Sequence, residues 1–136
     1  MSPNAETPRL RAVVAEDEAL IRLDVVELLT AAGYTVVAEA GDGRAAVDAV
    51  REHRPDIVVM DVMMPVMDGI AAAGEIARDR LAPVVMLTAF SQRELVERAR
   101  DAGAMAYLVK PFSKNDLVPA IEVARGRFAE MTAPVS

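Results

Sequence analysis

The stretch Ile57–Asp61 reads IVVMD, four apolar residues in a row that end at a carboxylate. Turn-forming residues stand on both sides, with Pro55 before the run and Pro65 and Gly69 after it. A short apolar run with such boundaries is typical of a strand buried on both faces, as in a parallel sheet. Asp61 then lies at the carboxyl end of a central strand, which is the edge where open α/β sheets bind ligands. For an isolated strand, such an aspartate more often caps the next helix, so the rest of the chain must decide.

The composition limits the classes of protein to which this chain can belong. Its 136 residues suffice for one domain with a proper core, and there is no Cys, which excludes disulfides, thiolate metal sites and Cys nucleophiles. A net charge of −6 and a pI near 4.8 argue against a general nucleic-acid surface. No apolar run approaches the length of a membrane span and no signal-peptide pattern opens the chain, so we expect a cytoplasmic protein with no membrane partner.

Strand and helix patterns alternate along the chain. The predicted strands are 10–15, 34–39, 57–61, 83–88 and 106–109, and the predicted helices are 18–32, 45–53, 69–80, 91–102 and 114–131. This alternation predicts an α/β fold with a doubly wound, five-stranded parallel sheet in the flavodoxin-like order 2-1-3-4-5, covered by five helices. We expect residues 1–9 to be a flexible lead-in, residues 10–130 to form the domain, and residues 131–136 to be a tail or the start of a linker.

Three carboxylates converge on the predicted switch point between strands one and three. Glu16 and Asp17 follow the first strand and Asp61 ends the third. Like charges this close repel unless a cation joins them, and Mg²⁺ prefers such hard oxygen ligands. Zinc is disfavoured because no His is expected near this point and the chain has no Cys. Acidic residues also stabilise a helix N-terminus. For Glu16 and Asp17 alone, a metal site and a helix N-terminus are equally good interpretations. The presence of Asp61 at the same point favours the metal site.

Two further strand ends carry polar side chains on the same edge. Thr88 ends the fourth strand and Lys110 follows the fifth. A cation, an ammonium group and a hydroxyl around a carboxylate are suited to phosphoryl transfer, with Asp61 as the nucleophile. Taken singly, Lys110 is more often a structural partner for a carboxylate and Thr88 a helix-entry cap. The agreement of four strand ends favours the phosphoryl site.

With these motifs in place, the chain resembles the receiver domains of bacterial two-component response regulators over residues 10–128. The motifs that carry the resemblance are Glu16-Asp17, Met60-Asp61-Val62-Met63-Met64-Pro65 with Asp68-Gly69, Thr88-Ala89, and Lys110-Pro111-Phe112. The resemblance implies a signalling switch and not an enzyme with an outside substrate. It also implies that Asp61 is the phosphoacceptor and that a sensor histidine kinase is the phosphodonor.

The resemblance implies a Mg²⁺ site around the phosphoacceptor. Asp17 would be the main carboxylate ligand beside Asp61, the backbone carbonyl of Met63 would be a third ligand, and Glu16 would act through a water molecule. Glu16 stands where the commoner residue is Asp, which alters its reach.

The resemblance also implies a switch. Thr88 and Lys110 would contact the phosphoryl group, and Tyr107 would occupy the aromatic switch position on strand five. The Lys110–Pro111 peptide bond would be cis. The surface made by helix four, strand five and helix five would change on phosphorylation and meet an output domain, a downstream protein or a second copy of the chain.

A finer resemblance lies in residues 87–95 and 98–113, which look like the receivers of antitermination regulators that carry an RNA-binding ANTAR domain. RNA binding is not expected of these acidic residues themselves. Two alternatives stay open: a phosphatase similar to haloacid dehalogenases, whose pattern would put a second Asp at Met63, and a degenerate receiver used only for protein interaction.

Overall fold

A computed structural model describes residues 9–89 and 93–133 of the chain. Within them, strands and helices alternate with these bounds: β1 Arg11–Ala15, α1 Ala19–Ala31, β2 Thr35–Ala40, α2 Gly43–His53, β3 Ile57–Asp61, α3 Gly69–Arg78, β4 Val84–Thr88, α4 Arg93–Ala102, β5 Ala106–Val109 and α5 Lys114–Thr132. All neighbouring strands pair in parallel, and the sheet order is β2-β1-β3-β4-β5. The predicted doubly wound parallel sheet is confirmed.

The two central strands β3 and β4 are buried at every position. Successive side chains point to opposite faces of the sheet. On one face Val58 and Met60 pack into a cluster that includes residues of α2 and α3, and on the other face Val59 packs against residues of α1 and α5. Burial on both faces explains why β3 reads as a continuous apolar run.

The second strand and second helix differ from the sequence prediction at their ends. The amide of Tyr34 donates to the carbonyl of Leu29 at 3.0 Å, which closes the end of α1 and delays β2 by one residue. The α2 helix begins at Gly43, two residues earlier than predicted, because the Asp42 side chain caps it by accepting from the amide of Ala45 at 2.8 Å.

The third helix ends at Arg78, two residues before the predicted end. Arg80 has a left-handed φ of 51°, which stops helical geometry. The Leu81 amide then donates to the Ile76 carbonyl at 3.0 Å, as in a Schellman-type helix end. The residues after Arg78 have no strong preference against a helix, but the chain has to change direction here to enter β4.

Ser113 and Asp116 cap the start of the last helix. The Ser113 amide donates to Asp116 Oδ2 at 3.0 Å, and the helix continues through Pro119 to Thr132. The predicted start of helix four at residues 91 and 92, the lead-in up to residue 8 and the end of the tail at residues 134–136 lie outside the described residues. Within the described part of the chain, no helix is both long and apolar enough to cross a membrane.

Candidate functional site

Three charged side chains from different strands meet at the carboxyl edge of the sheet. Glu16 follows β1, Asp61 ends β3 and Lys110 follows β5. Glu16 and Asp61 are buried, with 1% and 6% of their surfaces exposed. The Lys110 ammonium donates to Glu16 Oε1 at 2.8 Å and also to Asp61 Oδ2. The sequence-based prediction placed these residues on one edge, and the structure brings their charged atoms into contact.

The arrangement shifts the ionisation of both partners of the Lys110–Glu16 pair. Burial and the nearby Asp61 carboxylate raise the pKa of Glu16 to about 7, although the hydrogen bond from Lys110 opposes the rise. Burial alone would lower the pKa of Lys110, but its hydrogen bonds to Asp61 and Glu16 outweigh burial and raise this pKa. Lys110 is therefore the positive charge that partly compensates two buried carboxylates.

The loop after β3 orients the Asp61 carboxylate. The Met63 amide donates to Asp61 Oδ1 at 2.8 Å, so each carboxylate oxygen accepts a hydrogen bond, one from Met63 and one from Lys110. The Gly69 amide donates to the Val62 carbonyl at 2.9 Å and closes the loop at its base. A Cβ on Gly69 would lie 2.0 Å from the Asp61 carbonyl oxygen, so only glycine allows this close approach.

The loop after β1 presents the remaining acidic residues. Asp17 and Glu18 are exposed beside the buried Glu16, and Glu18 is the N-cap of α1 without a side-chain capping bond. The sequence did not single out Arg22, whose Nη1 donates to the Glu16 carbonyl at 2.7 Å and whose Nε lies 3.3 Å from Glu39 Oε1. The sequence did contain a signal for this contact: Arg22 lies in the first turn of the helix that follows the acidic pair Glu16-Asp17.

The predicted Mg²⁺ ligands are suitable in chemistry, because Glu16, Asp17 and Asp61 are hard oxygen donors gathered at one strand edge. Burial, followed by the neighbouring Asp61, raises the pKa of Glu16, so its ionised form is disfavoured at this edge in the absence of a further cation. Among the residues that the structure describes, however, no group of three acidic or histidine side chains has the geometry to hold a metal ion. Lys110 bridges Glu16 and Asp61 instead. The donors thus suit Mg²⁺ in their chemistry, but the described side chains, as they are placed, do not form a binding site for it.

The predicted switch residues share one face of the sheet. Thr88 pairs in register with Val109, and Tyr107 pairs with Met86. Ala106 packs on the opposite face, as strand alternation predicted. Thr88 is buried at 5% exposure, whereas Tyr107 is 49% exposed.

A small cavity separates Thr88 from Tyr107. Its volume is about 10 Å³, and its other lining residues are Val62, Met86, Leu95, Val96 and Ala99. This space is about the size of one water molecule, so it cannot take a phenol ring without movement of its walls. The Lys110–Pro111 peptide bond is cis, the form that the family resemblance predicted.

Comparison with known proteins identifies the family of the chain. The family model for the response regulator receiver domain matches residues 12–122. The transcriptional regulatory protein PdtaR of Mycobacterium tuberculosis is 65% identical over 130 residues, which cover 96% of this chain and 63% of PdtaR. The chain thus spans just under two thirds of the length of this curated relative.

Solved structures show the same fold. The signal receiver domain of NarL from Mycobacterium tuberculosis has a TM-score of 0.83 and 31% identity, covering 88% of this chain and 98% of that one. The CheX–CheY complex of Borrelia burgdorferi with BeF₃ and Mg²⁺ has a TM-score of 0.78 and 26% identity, covering 89% of this chain and 92% of the matched one. Family model, close relative and fold agree, and the chain belongs to the response regulator receiver domain family.

Proposed function

We propose that this chain is a phosphoacceptor receiver that takes a phosphoryl group on Asp61 from a sensor histidine kinase. The observation that carries the proposal is the buried Asp61 carboxylate, held by the Met63 amide on one oxygen and by the Lys110 ammonium on the other. A buried carboxylate with fixed orientation at the ligand-binding edge of the sheet is suited to act as a nucleophile.

In the proposed reaction, a carboxylate oxygen of Asp61 attacks the phosphorus of a phosphohistidine. The new O–P bond forms as the P–N bond breaks, and the electron pair of the P–N bond goes to the imidazole nitrogen of the donor. The Asp61 side chain thereby changes from a carboxylate with one negative charge to an acyl phosphate with up to two. The Lys110 ammonium, already within hydrogen-bond distance of this carboxylate and of Glu16, then neutralises part of that charge.

Receiver domains generally use Mg²⁺ for this reaction. We propose that Asp17, Asp61 and the Met63 carbonyl hold the ion and that Glu16 acts through a water molecule. When bound, the ion would offset the negative charge of the phosphoryl oxygens. The CheY structure with BeF₃ and Mg²⁺, which shares this fold at 26% identity, supports the proposal.

We further propose that phosphorylation is coupled to the surface formed by α4, β5 and α5. The Thr88 hydroxyl would contact the phosphoryl group, and Tyr107 would rotate inward. Because the cavity between them is only about 10 Å³, the ring can enter only if Thr88 and the facing part of α4 move. Converting a mostly inactive population to a mostly active one takes about 5.5 kcal/mol, and charge-assisted hydrogen bonds to the phosphoryl group can supply much of this free energy.

The changed surface would meet an output domain, a downstream protein or a second copy of the chain. The match to a transcriptional regulatory protein favours a regulator of transcription as the full context, with residues 10–130 as its receiver domain. The acidic receiver itself would not contact nucleic acid. We place its action in the cytoplasm, where kinases that use ATP supply phosphoryl groups.

The proposal is tested by incubating the protein with Mg²⁺ and acetyl phosphate or phosphoramidate and measuring intact mass. We expect one added phosphoryl group that is stable in acid and labile in base, absent in Asp61→Asn. Asp68→Asn is a matched control, because Asp68 is an exposed aspartate of the same loop whose Oδ1 caps α3 by accepting from the Ala71 amide. Labelling that continues at the wild-type rate in Asp61→Asn contradicts the proposal.

Two further measurements separate the alternatives. Repeated hydrolysis of p-nitrophenyl phosphate, with many turnovers per protein, would instead support a phosphatase. A wild-type protein that binds neither Mg²⁺ nor beryllofluoride would support a degenerate receiver that serves only in protein interaction.

A further inference from the structure

The loop that carries Met63 is held from outside by the start of a different helix. Gly43, the first residue of α2, is buried, and a Cβ built on it would lie 2.0 Å from the Met67 carbonyl oxygen and 2.7 Å from the Met67 carbonyl carbon. These are backbone atoms, which cannot swing aside as a flexible side chain can. Any residue other than glycine at position 43 must therefore displace either the loop or the helix.

The contact is steric and does not arise from an unusual glycine conformation. Gly43 is a residue of the α2 helix, and its φ lies outside the left-handed region that only glycine adopts without strain. Alanine is a better helix former than glycine. Without the Met67 contact, Gly43→Ala should therefore stabilise α2, so the sign of the effect reports on the contact.

A second contact joins the same two segments. Arg44, the next residue of α2, places Nη2 3.7 Å from Met67 Sδ and 2.5 Å from Glu75 Oε2. Met67 also packs against the apolar cluster on this face of the sheet. The helix start thus contacts both the backbone and the side chain of Met67.

The loop transmits a displacement at Met67 toward the phosphoacceptor because it is stiff. The Met67 amide donates to the Pro65 carbonyl at 2.7 Å around Val66, whose φ is 67°. This is a tight three-residue turn in a conformation that a β-branched residue rarely adopts. Pro65 fixes its own φ and restricts the residue before it. The segment from Met63 to Met67 therefore has few soft dihedral angles with which to absorb a shift.

We infer that Gly43 is a positioning residue for phosphoryl transfer: its lack of a side chain lets α2 hold the loop so that the Met63 amide meets Asp61. The inference rests on the proposed function for its catalytic consequence, but the effect on the loop is independent of that function. The residue lies 18 positions before Asp61 in the sequence and touches neither Asp61 nor the phosphoryl site.

The test compares Gly43→Ala and Gly43→Ser with Gly126→Ala. Gly126 lies in α5, and a Cβ there would meet nothing within 4 Å, so this control makes the same chemical change without the contact. The first measurement is the backbone ¹H–¹⁵N spectrum in the absence of Mg²⁺ and phosphodonor. We expect the Met63 amide signal to shift in both Gly43 variants and to stay in place in Gly126→Ala.

The second measurement is the rate of phosphorylation by phosphoramidate per folded molecule, with the folded fraction set by circular dichroism. A misplacement of about 1 Å can cost roughly 100-fold in rate, so we expect a loss of about 10- to 100-fold in both Gly43 variants and none in Gly126→Ala. Equal losses for Ala and Ser are expected because both introduce the same Cβ.

Unchanged Met63 signals and an unchanged rate per folded molecule in Gly43→Ala would overturn the inference and leave Gly43 with a structural role only. Should the Gly43 variants fail to fold, Met67→Ala removes the side-chain contact with Arg44 through which the start of α2 also holds the loop; wild-type Met63 signals in that variant would likewise overturn the inference. A wild-type protein that is not phosphorylated refutes the proposed function instead, while the Met63 amide still reports on the loop.

Discussion

The buried Glu16 makes the stability of the metal-free protein depend on pH. Its pKa rises from the ordinary 4.5 to about 7, chiefly because burial disfavours the charged form. In the unfolded chain the carboxyl ionises near its ordinary value, so between pH 4.5 and 7 the folded protein binds more protons than the unfolded one. Stability must therefore fall as pH rises through this window, and the loss is complete above pH 7.

The size of the loss follows from the shift. One pKa unit corresponds to 1.36 kcal/mol, so ionising Glu16 in the folded state costs about 3 kcal/mol. For a domain of this size the cost amounts to a decrease of roughly 10 °C in Tm. Replacing Glu16 by Gln keeps the shape and a carbonyl oxygen that can accept from Lys110, but removes the ionisation.

We therefore predict that replacing Glu16 by Gln changes the free energy of unfolding in a pH-dependent way. The difference between Glu16→Gln and the wild type should be more favourable to the variant at pH 8.5 than at pH 5, by about 2 to 3 kcal/mol. The assay is urea unfolding followed by circular dichroism at pH 5, 6, 7 and 8.5 in the presence of EDTA. Glu27→Gln, which changes an exposed glutamate of α1, controls for the loss of one negative charge. Added Mg²⁺ should reduce the difference at high pH, because a bound cation stabilises the ionised carboxylates.

Taking the difference between variant and wild type cancels the groups that titrate equally in both proteins. A difference that is flat from pH 5 to 8.5, or one that grows toward low pH, would refute the reasoning. Either result would mean that Lys110 compensates Glu16 fully and that burial does not dominate its ionisation.

Three further predictions concern the metal, the switch and the core. Asp17→Ala should weaken Mg²⁺ binding, followed by NMR titration, far more than Glu18→Ala, because Glu18 is the N-cap of α1; equal effects would mean that Asp17 is not a ligand. Thr88→Ala should leave Asp61 open to phosphorylation but reduce the beryllofluoride-induced change in the fluorescence of Tyr107, and an unchanged response would uncouple the two residues. Leu117→Ala should lower the free energy of unfolding by about 2–5 kcal/mol in urea titrations, since Leu117 is fully buried between α5 and the sheet; a loss under 1 kcal/mol would show that the cavity collapses.

The sequence alone determined the architecture and the place of Asp61, the proposed phosphoacceptor. Strands buried on both faces must be continuous apolar runs, so IVVMD identified β3 and put Asp61 at its end. Alternation of strand and helix patterns restricted the topology to one common order, and that order put Glu16, Asp61, Thr88 and Lys110 at one edge. These are local signals, readable along the chain, and the confirmed sheet order shows that they were sufficient.

Helix ends were predicted less accurately, because helix propensity leaves the terminal residues open and the hydrogen bonds that cap each end decide them. The α2 helix began at Gly43 because Asp42 caps it, and α3 stopped at Arg78 because the chain must turn into β4. In both places the intrinsic preference of the residues allowed another boundary. The capping and turn hydrogen bonds selected the one observed.

Only the tertiary structure decided how the charges meet. Lys110 lies 94 residues from Glu16 and 49 from Asp61, and no pattern along the chain fixes whether its ammonium reaches one, both or neither. The burial of Glu16, which raises its pKa, likewise depends on how β1 sits between its neighbours. The contact of Gly43 with Met67 is of the same kind: it is a distance between two backbones, set by the packing of α2 against the loop after β3, and sequence patterns carry no such distances.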